Sequence, residues 1–91
     1  MRYYIYILYS EKFDKYYYGQ TNDLKERLIK HNSKKVNSTA KYSPWIIFAY
    51  KELETRSEAI AFERKIKNLK SRTRVHEYLR KHRFIFRDES T

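Results

Sequence analysis

Cysteine is absent from this chain, which removes disulfides and thiolate metal sites from consideration. There is a single glycine and a single proline, so little of the chain is built as flexible linker. Acidic residues are scarce. Eleven Asp plus Glu stand against 21 Lys plus Arg, a net charge of +10, and that excess favours a polyanionic partner, nucleic acid first. The bland alternative is a basic surface that serves only solubility. Nor does any apolar run approach the length of a membrane span. The start, MRYYIYILYS, is too short and too rich in tyrosine for the core of a signal peptide, and no small-residue cleavage site follows it. Secretion and membrane insertion are therefore not expected; an intracellular, reducing, cytoplasmic setting is.

What the chain does have is aromatics, 18% of its residues, and a hydrophobic content of 41% that argues for a folded domain. Its 91 residues suffice for one small core and not for two. We expect a single domain over residues 1–83 and a short tail over 84–91. In that tail Phe84 and Phe86 would pack back as an extended piece, with the last four polar residues frayed.

The stretch from Tyr3 to His31 organises the rest. Residues 3–9 are all aromatic or aliphatic and read as a strand entering a polar turn. A second run, Tyr16-Tyr17-Tyr18, stops at Gly19, so the two form a hairpin with a loop longer than the tightest type. Then the period changes. Leu24, Arg27, Leu28 and His31 fall at i, i+3, i+4 and i+7, on one arc of a helix. Asp23 with Glu26 has capping-box spacing, and Thr21 or Asn22 serves the cap position equally well. Arg27 and His31 sit on the edge of the stripe that faces the sheet, where a cation and an imidazole are costly unless they meet something anionic.

Residues 32–43 are polar, basic and without period, a loop that Pro44 closes. Lys34, Lys35 and Lys41 in it are candidates for phosphate contact. The run Trp45 to Tyr50 reads as a third strand, central or covered. Thr55 and Glu58 have capping-box spacing at the start of a second helix, with Ala59, Phe62, Ile66 and Leu69 as its buried stripe. Glu63 lies about 60° from the centre of that stripe, a boundary carboxylate able to reach over the sheet. Ser71 or Thr73 caps a third helix carrying Val75, Tyr78, Leu79 and His82. The order ββαβαα implies an α/β (α+β) fold, a small, mainly antiparallel three-stranded sheet covered by helices.

Tyr4-Ile5-Tyr6 paired with Tyr17-Tyr18-Gly19, then Gln20-Thr21-Asn22-Asp23-Leu24, Arg27 and His31, resembles the GIY-YIG nuclease domain. The whole chain looks most like the small stand-alone bacterial members, related to the N-terminal domain of the excision-repair subunit UvrC, over roughly residues 3–80. The resemblance implies a metal-dependent endonuclease that hydrolyses DNA phosphodiester bonds, with DNA repair or recombination as its setting. It implies that Tyr6 takes a proton from the attacking water, with Tyr17 as its companion. Arg27 would contact the scissile phosphate, His31 would share the base work or orient Tyr6, and Glu63 would hold one divalent cation, Mg²⁺ or Mn²⁺. A free phenol has a pKa of about 10, so a base role for Tyr6 calls for nearby positive charge from Arg27, His31 or the metal.

Taken singly, each residue has a plainer explanation: tyrosines such as Tyr3, Tyr9, Tyr16 and Tyr18 fill small cores, and Glu63 suits an i,i+4 pair with Lys67. The five together, in family order and spacing, point to a site. The chain departs from the pattern in two places. Tyr4 stands where the family name has Gly, and Asn68 follows Glu63 too closely to be the asparagine some members carry there; Lys67 is a substitute for phosphate contact. The partner implied is duplex or branched DNA, bound by a monomer, with a weak dimer as the alternative. The alternative is a non-catalytic nucleic-acid-binding module that keeps the nuclease fold.

Overall fold

In the computed structural model, which describes residues 2–87, four antiparallel strands line up as β2-β1-β3-β4. They are β1 (Tyr3–Ser10), β2 (Lys15–Thr21), β3 (Ile46–Leu53) and β4 (Ile85–Phe86), with helices α1 (Leu24–Asn32), α2 (Arg56–Leu69) and α3 (Arg72–Lys81) between them. The α+β architecture is the one expected, with one strand more. The tail expected to pack back as an extended piece pairs with β3, Ala49 opposite Phe86 and Tyr50 opposite Ile85. Phe84 and Phe86 are buried, which supplies the apolar gain that draws so short a strand onto the sheet. The four residues expected to fray lie outside the described residues. None of the described helices is long and apolar enough to cross a membrane.

The central strand β1 divides the molecule by simple alternation. Ile5 and Ile7 face one way, into a core with Ala49, Leu53, Ala59, Ile66, Val75, Leu79, Phe84 and Phe86, closed by α2 and α3. Tyr6 and Leu8 face the other way and pack with Trp45, Leu24 and Leu28, under α1. The hairpin turn is Glu11–Asp14, with Asp14 in the left-handed region at φ 52. Strand β2 runs on past Gly19 to Thr21, and β3 begins one residue after Trp45 and reaches Leu53, further than its apolar run suggested.

A bulge lets β3 serve both layers. Its pairing with β1 shifts between Ile7 and Leu8, so Ile7 lies opposite Ala49 and Leu8 opposite Ile47, leaving Phe48 as the extra residue. Phe48 then joins Ala49 on the α2–α3 side, against Tyr16, His76 and Phe86.

Capping residues decide the open cases. The Asp23 side chain accepts from Glu26 N at 3.0 Å and so caps α1, while Thr21 Oγ1 accepts from Asp23 N. Thr55 and Glu58 form the reciprocal box at α2, and Ser71 caps α3.

Candidate active site

Tyr6 stands on the middle strand of the α1 layer, where a bulky side chain in a flat sheet would point at its cross-strand neighbour. That neighbour is Gly19. Having no side chain, Gly19 leaves the space over β2 in which the Tyr6 ring lies. The ring is 1% exposed, yet its hydroxyl meets two polar groups from α1. His31 Nε2 is 3.0 Å from Tyr6 Oη, and Arg27 Nε donates to the same oxygen at 3.3 Å. Arg27 and His31 lie one turn apart on α1, which is why one phenol can meet both.

His31 is fully buried. Its other nitrogen, Nδ1, is 2.8 Å from Thr39 Oγ1, and Thr39 is itself 1% exposed. The expectation that these α1 groups would need an anionic partner is met differently, by neutral hydroxyls on both nitrogens of the imidazole. The Tyr17 ring packs 4.9 Å from the imidazole and 6.4 Å from both Tyr6 and Trp45, closing the apolar side.

The loop that carries Thr39 is pinned. Trp45 Nε1 donates to Thr39 O at 3.0 Å, and the Asn32 side chain spans the Trp45 backbone, accepting from its N at 2.6 Å and donating to its O at 3.0 Å. A short 3₁₀ turn, Ala40–Tyr42, follows Thr39. None of this is visible as a period. Thr39 is one hydroxyl in a run of Ser, Thr and Asn, and nothing in its sequence neighbourhood distinguishes it from its exposed neighbours.

The electrostatics of the cluster run against a free tyrosinate. Burial pushes the Tyr6 phenol up to about 12, outweighing the hydrogen bond from Arg27; Tyr17 and Glu63 push it the same way. Burial, and then the charge of Arg27, pushes His31 down to about 4, so at neutral pH the imidazole carries no positive charge to lend the phenol. Arg27 itself is held above its ordinary value, mainly by its bond to Tyr6.

Glu63 comes from the opposite layer. It lies on α2 beside Gln20 of the β2 edge, with Ile60, Arg64, Lys67 and Asn68 around the same depression, close enough for its charge to act on Tyr6. Lys67 Nζ holds Glu63 Oε2 at 2.7 Å. Among the described residues no group of three or more His, Asp or Glu side chains gathers as a ready-made metal cage. Glu63 offers a single carboxylate there, the kind of ligand that a hard cation such as Mg²⁺ takes when water and phosphate oxygens fill the rest of its shell. Lys34, Lys35 and Lys41 are exposed on the loop after α1, Lys41 with its ammonium 5.1 Å from the centre of the Tyr42 ring. Thus Tyr6, Tyr17, Arg27 and His31 converge, Glu63 stands at the strand edge in an ion pair, and the loop lysines are exposed.

Comparison with known proteins gives a consistent picture. The pattern of the GIY-YIG catalytic domain matches residues 2–82. Among solved structures, the chain is similar to the UPF0213 protein BH0048 from Bacillus halodurans, determined by solution NMR, at 30% identity and a TM-score of 0.54. The likeness covers 87% of this chain and 83% of that one. No curated protein matches.

Proposed function

The chain belongs to the GIY-YIG family, whose members are generally endonucleases that use a divalent metal, and on that premise we propose that it hydrolyses DNA phosphodiester bonds at the Tyr6–Arg27–His31 cluster. DNA repair or recombination in the cytoplasm is the setting we assign to it. The observation that carries the reading is the placement of Tyr6 Oη between His31 Nε2 and Arg27 Nε. A binding surface needs phosphate contacts at the protein's exterior; it has no use for a buried phenol held by an imidazole.

The shifts in proton affinity define the role of each group. With its phenol near 12, Tyr6 is not a standing base, and a relay resolves this. As the attacking water loses a proton to Tyr6 Oη, the phenol's own proton passes to His31 Nε2, so the tyrosine stays neutral and the imidazole becomes imidazolium. The incoming phosphate brings negative charge that favours this protonated form. The Arg27 guanidinium, already beside the oxygen, stabilises the charge that grows on the non-bridging oxygens. Glu63 would hold the divalent cation, Mg²⁺ or Mn²⁺, which when bound neutralises phosphate charge. Lys34, Lys35 and Lys41 would carry the DNA backbone, duplex or branched, and a monomer suffices for every one of these contacts.

A second reading, a non-catalytic nucleic-acid-binding module, is favoured by one observation, the ion pair in which Lys67 occupies the Glu63 carboxylate. Cleavage of labelled duplex, single-stranded and branched DNA with Mg²⁺, Mn²⁺ or EDTA decides between them. The nuclease reading expects metal-dependent nicking that falls about 10²-fold or more in Tyr6→Phe and at least as far in Arg27→Ala. Binding without cleavage under every condition, or a Tyr6→Phe variant as fast as wild type, overturns it.

A further inference from the structure

The hydrogen bonds around His31 point to one tautomer. Tyr6 Oη has two hydrogen-bonded neighbours, His31 Nε2 and Arg27 Nε, and a guanidinium has donors alone. A phenol oxygen accepts as well as donates, so this end accommodates either tautomer, and with a lone pair on His31 Nε2 the buried phenol proton also gains an acceptor. Thr39 Oγ1 also has two neighbours, His31 Nδ1 and the Val36 carbonyl at 3.3 Å, and a carbonyl accepts only. The threonine proton goes to Val36 O, so Oγ1 accepts from His31 Nδ1–H. The Thr39 end selects the Nδ1–H tautomer, and the Tyr6 end is satisfied by it.

We propose that Thr39 is a positioning residue of the site: its hydroxyl, committed as donor to Val36 O, holds His31 in the Nδ1–H form and turns the Nε2 lone pair toward Tyr6. In the catalytic step, where the proposal rests on the nuclease reading, the phenol proton moves to Nε2 and the imidazolium keeps its Nδ1–H bond to Thr39, so one set of contacts serves both protonation states. The hydroxyl is fixed because the backbone under it is fixed. Thr39 N donates to Val36 O at 3.1 Å, and Thr39 O accepts from Tyr42 N at 3.1 Å and from Trp45 Nε1 at 3.0 Å. This arrangement makes the loop between α1 and β3 part of the site through the contact of Thr39 with His31. A hydroxyl buried to 1% that served packing alone would be as well replaced by a methyl.

Thr39→Val keeps the shape and deletes the hydroxyl, while Thr39→Ser keeps the hydroxyl and deletes the methyl. The readout is the long-range ¹H–¹⁵N spectrum of the imidazoles of the full chain at neutral pH, His31 being assigned with His31→Gln, together with cleavage of labelled DNA. We expect His31 to show a protonated Nδ1 and an unprotonated Nε2 in wild type and Thr39→Ser. Thr39→Val should show a mixed or inverted tautomer, with kcat reduced about tenfold or more at unchanged KM. Thr39→Ala gives the same comparison should the valine variant fail to fold. A wild-type His31 protonated on Nε2, or a wild-type spectrum retained in both Thr39→Val and Thr39→Ala, overturns the proposal. Where wild type cleaves no DNA the nuclease reading fails, and the spectra still decide the role of Thr39 by themselves.

Discussion

A Cβ placed on Gly19 would lie 2.6 Å from Tyr6 Oη and 2.7 Å from Tyr6 Cζ, so the glycine of β2 and the tyrosine of β1 are a single fitted pair. Contacts that short can be relieved only by moving the ring, which pulls its hydroxyl away from His31 and Arg27. Backbone freedom is not the reason for this glycine, since no glycine of the chain has a positive φ. It is the space.

Gly19→Ala is therefore expected to fold, because its cost falls on one side chain, and to lose the site. The Tyr6 ring must swing away by about 1 Å, a displacement that costs about 10²-fold in a reaction dependent on alignment. Cleavage rates beside a thermal melt check this. A melt lowered by many degrees with activity per folded molecule unchanged would show that the pair matters for folding alone.

Much of this was legible in the sequence because it is periodic. Alternation in Tyr3–Ser10 puts Tyr6 and Leu8 opposite Ile5 and Ile7, and the i, i+3, i+4, i+7 spacing of α1 brings Arg27 and His31 to one face. Thr55 was readable from its spacing to Glu58, whereas Ser71 and Thr73 stood as equal candidates until the bond from Arg74 N to Ser71 decided between them. What was not legible depends on contacts without period. The fourth strand rests on two phenylalanines in a short tail, and the bulge at Phe48 leaves no mark on composition. Thr39 acquires meaning only once the loop folds back over α1, and the low basicity of His31 only once burial is known.

That burial has a consequence for stability against pH. The His31 pKa in the folded chain, about 4, lies below the ordinary histidine value of about 6.5, so the unfolded state takes up the proton first as pH falls. The stability this neutral imidazole contributes is fully present above about pH 6.5 and is lost progressively toward pH 4, a loss of about 3 kcal/mol at most. His76 is shifted in the same direction by burial and by Arg80 and Arg72 and adds to the slope. Denaturant melts at pH 7.5, 6.0 and 4.5 should show the decline, and His31→Gln should flatten it while His76→Gln flattens it less.

Tyr6→Phe should cost stability as well as rate. It leaves His31 Nε2, buried among aromatic rings, without a hydrogen-bond donor, a loss of about 1–3 kcal/mol. The expected result is a lower melting temperature in the variant at neutral pH, with the fold intact by its amide spectrum. An unchanged melt would mean that water satisfies the nitrogen, and that the site is wetter than its burial implies.

Binding should be governed by salt. With Lys34, Lys35 and Lys41 exposed on one loop of a chain of charge +10, the logarithm of DNA affinity should fall steeply and linearly with the logarithm of salt concentration. Replacing the three lysines by alanine should lower the magnitude of that slope by about 1 for each phosphate that a lysine no longer neutralises. A slope left untouched by the triple variant would move the nucleic-acid surface elsewhere on the protein.

The remaining prediction concerns the pair that keeps Glu63 occupied. Lys67 Nζ sits 2.7 Å from Glu63 Oε2 with half of its own side chain in solvent, and an exposed i,i+4 pair of this kind is worth about 0.5 kcal/mol or less. If Glu63 is the cation ligand, the ammonium must give way before a metal binds. Removing it in Lys67→Met should then tighten Mn²⁺ binding, but only about twofold, because so weak a pair presents so small a barrier. Glu63→Gln should abolish the binding altogether. Paramagnetic broadening of the Gln20 and Glu63 amides in a Mn²⁺ titration measures both effects. Tightening well beyond twofold would mean that Lys67 opposes the cation by its charge at long range rather than by its contact. Broadening that survives in Glu63→Gln would remove Glu63 from the metal site, and Lys67 would then be left as a phosphate contact anchored by its own helix.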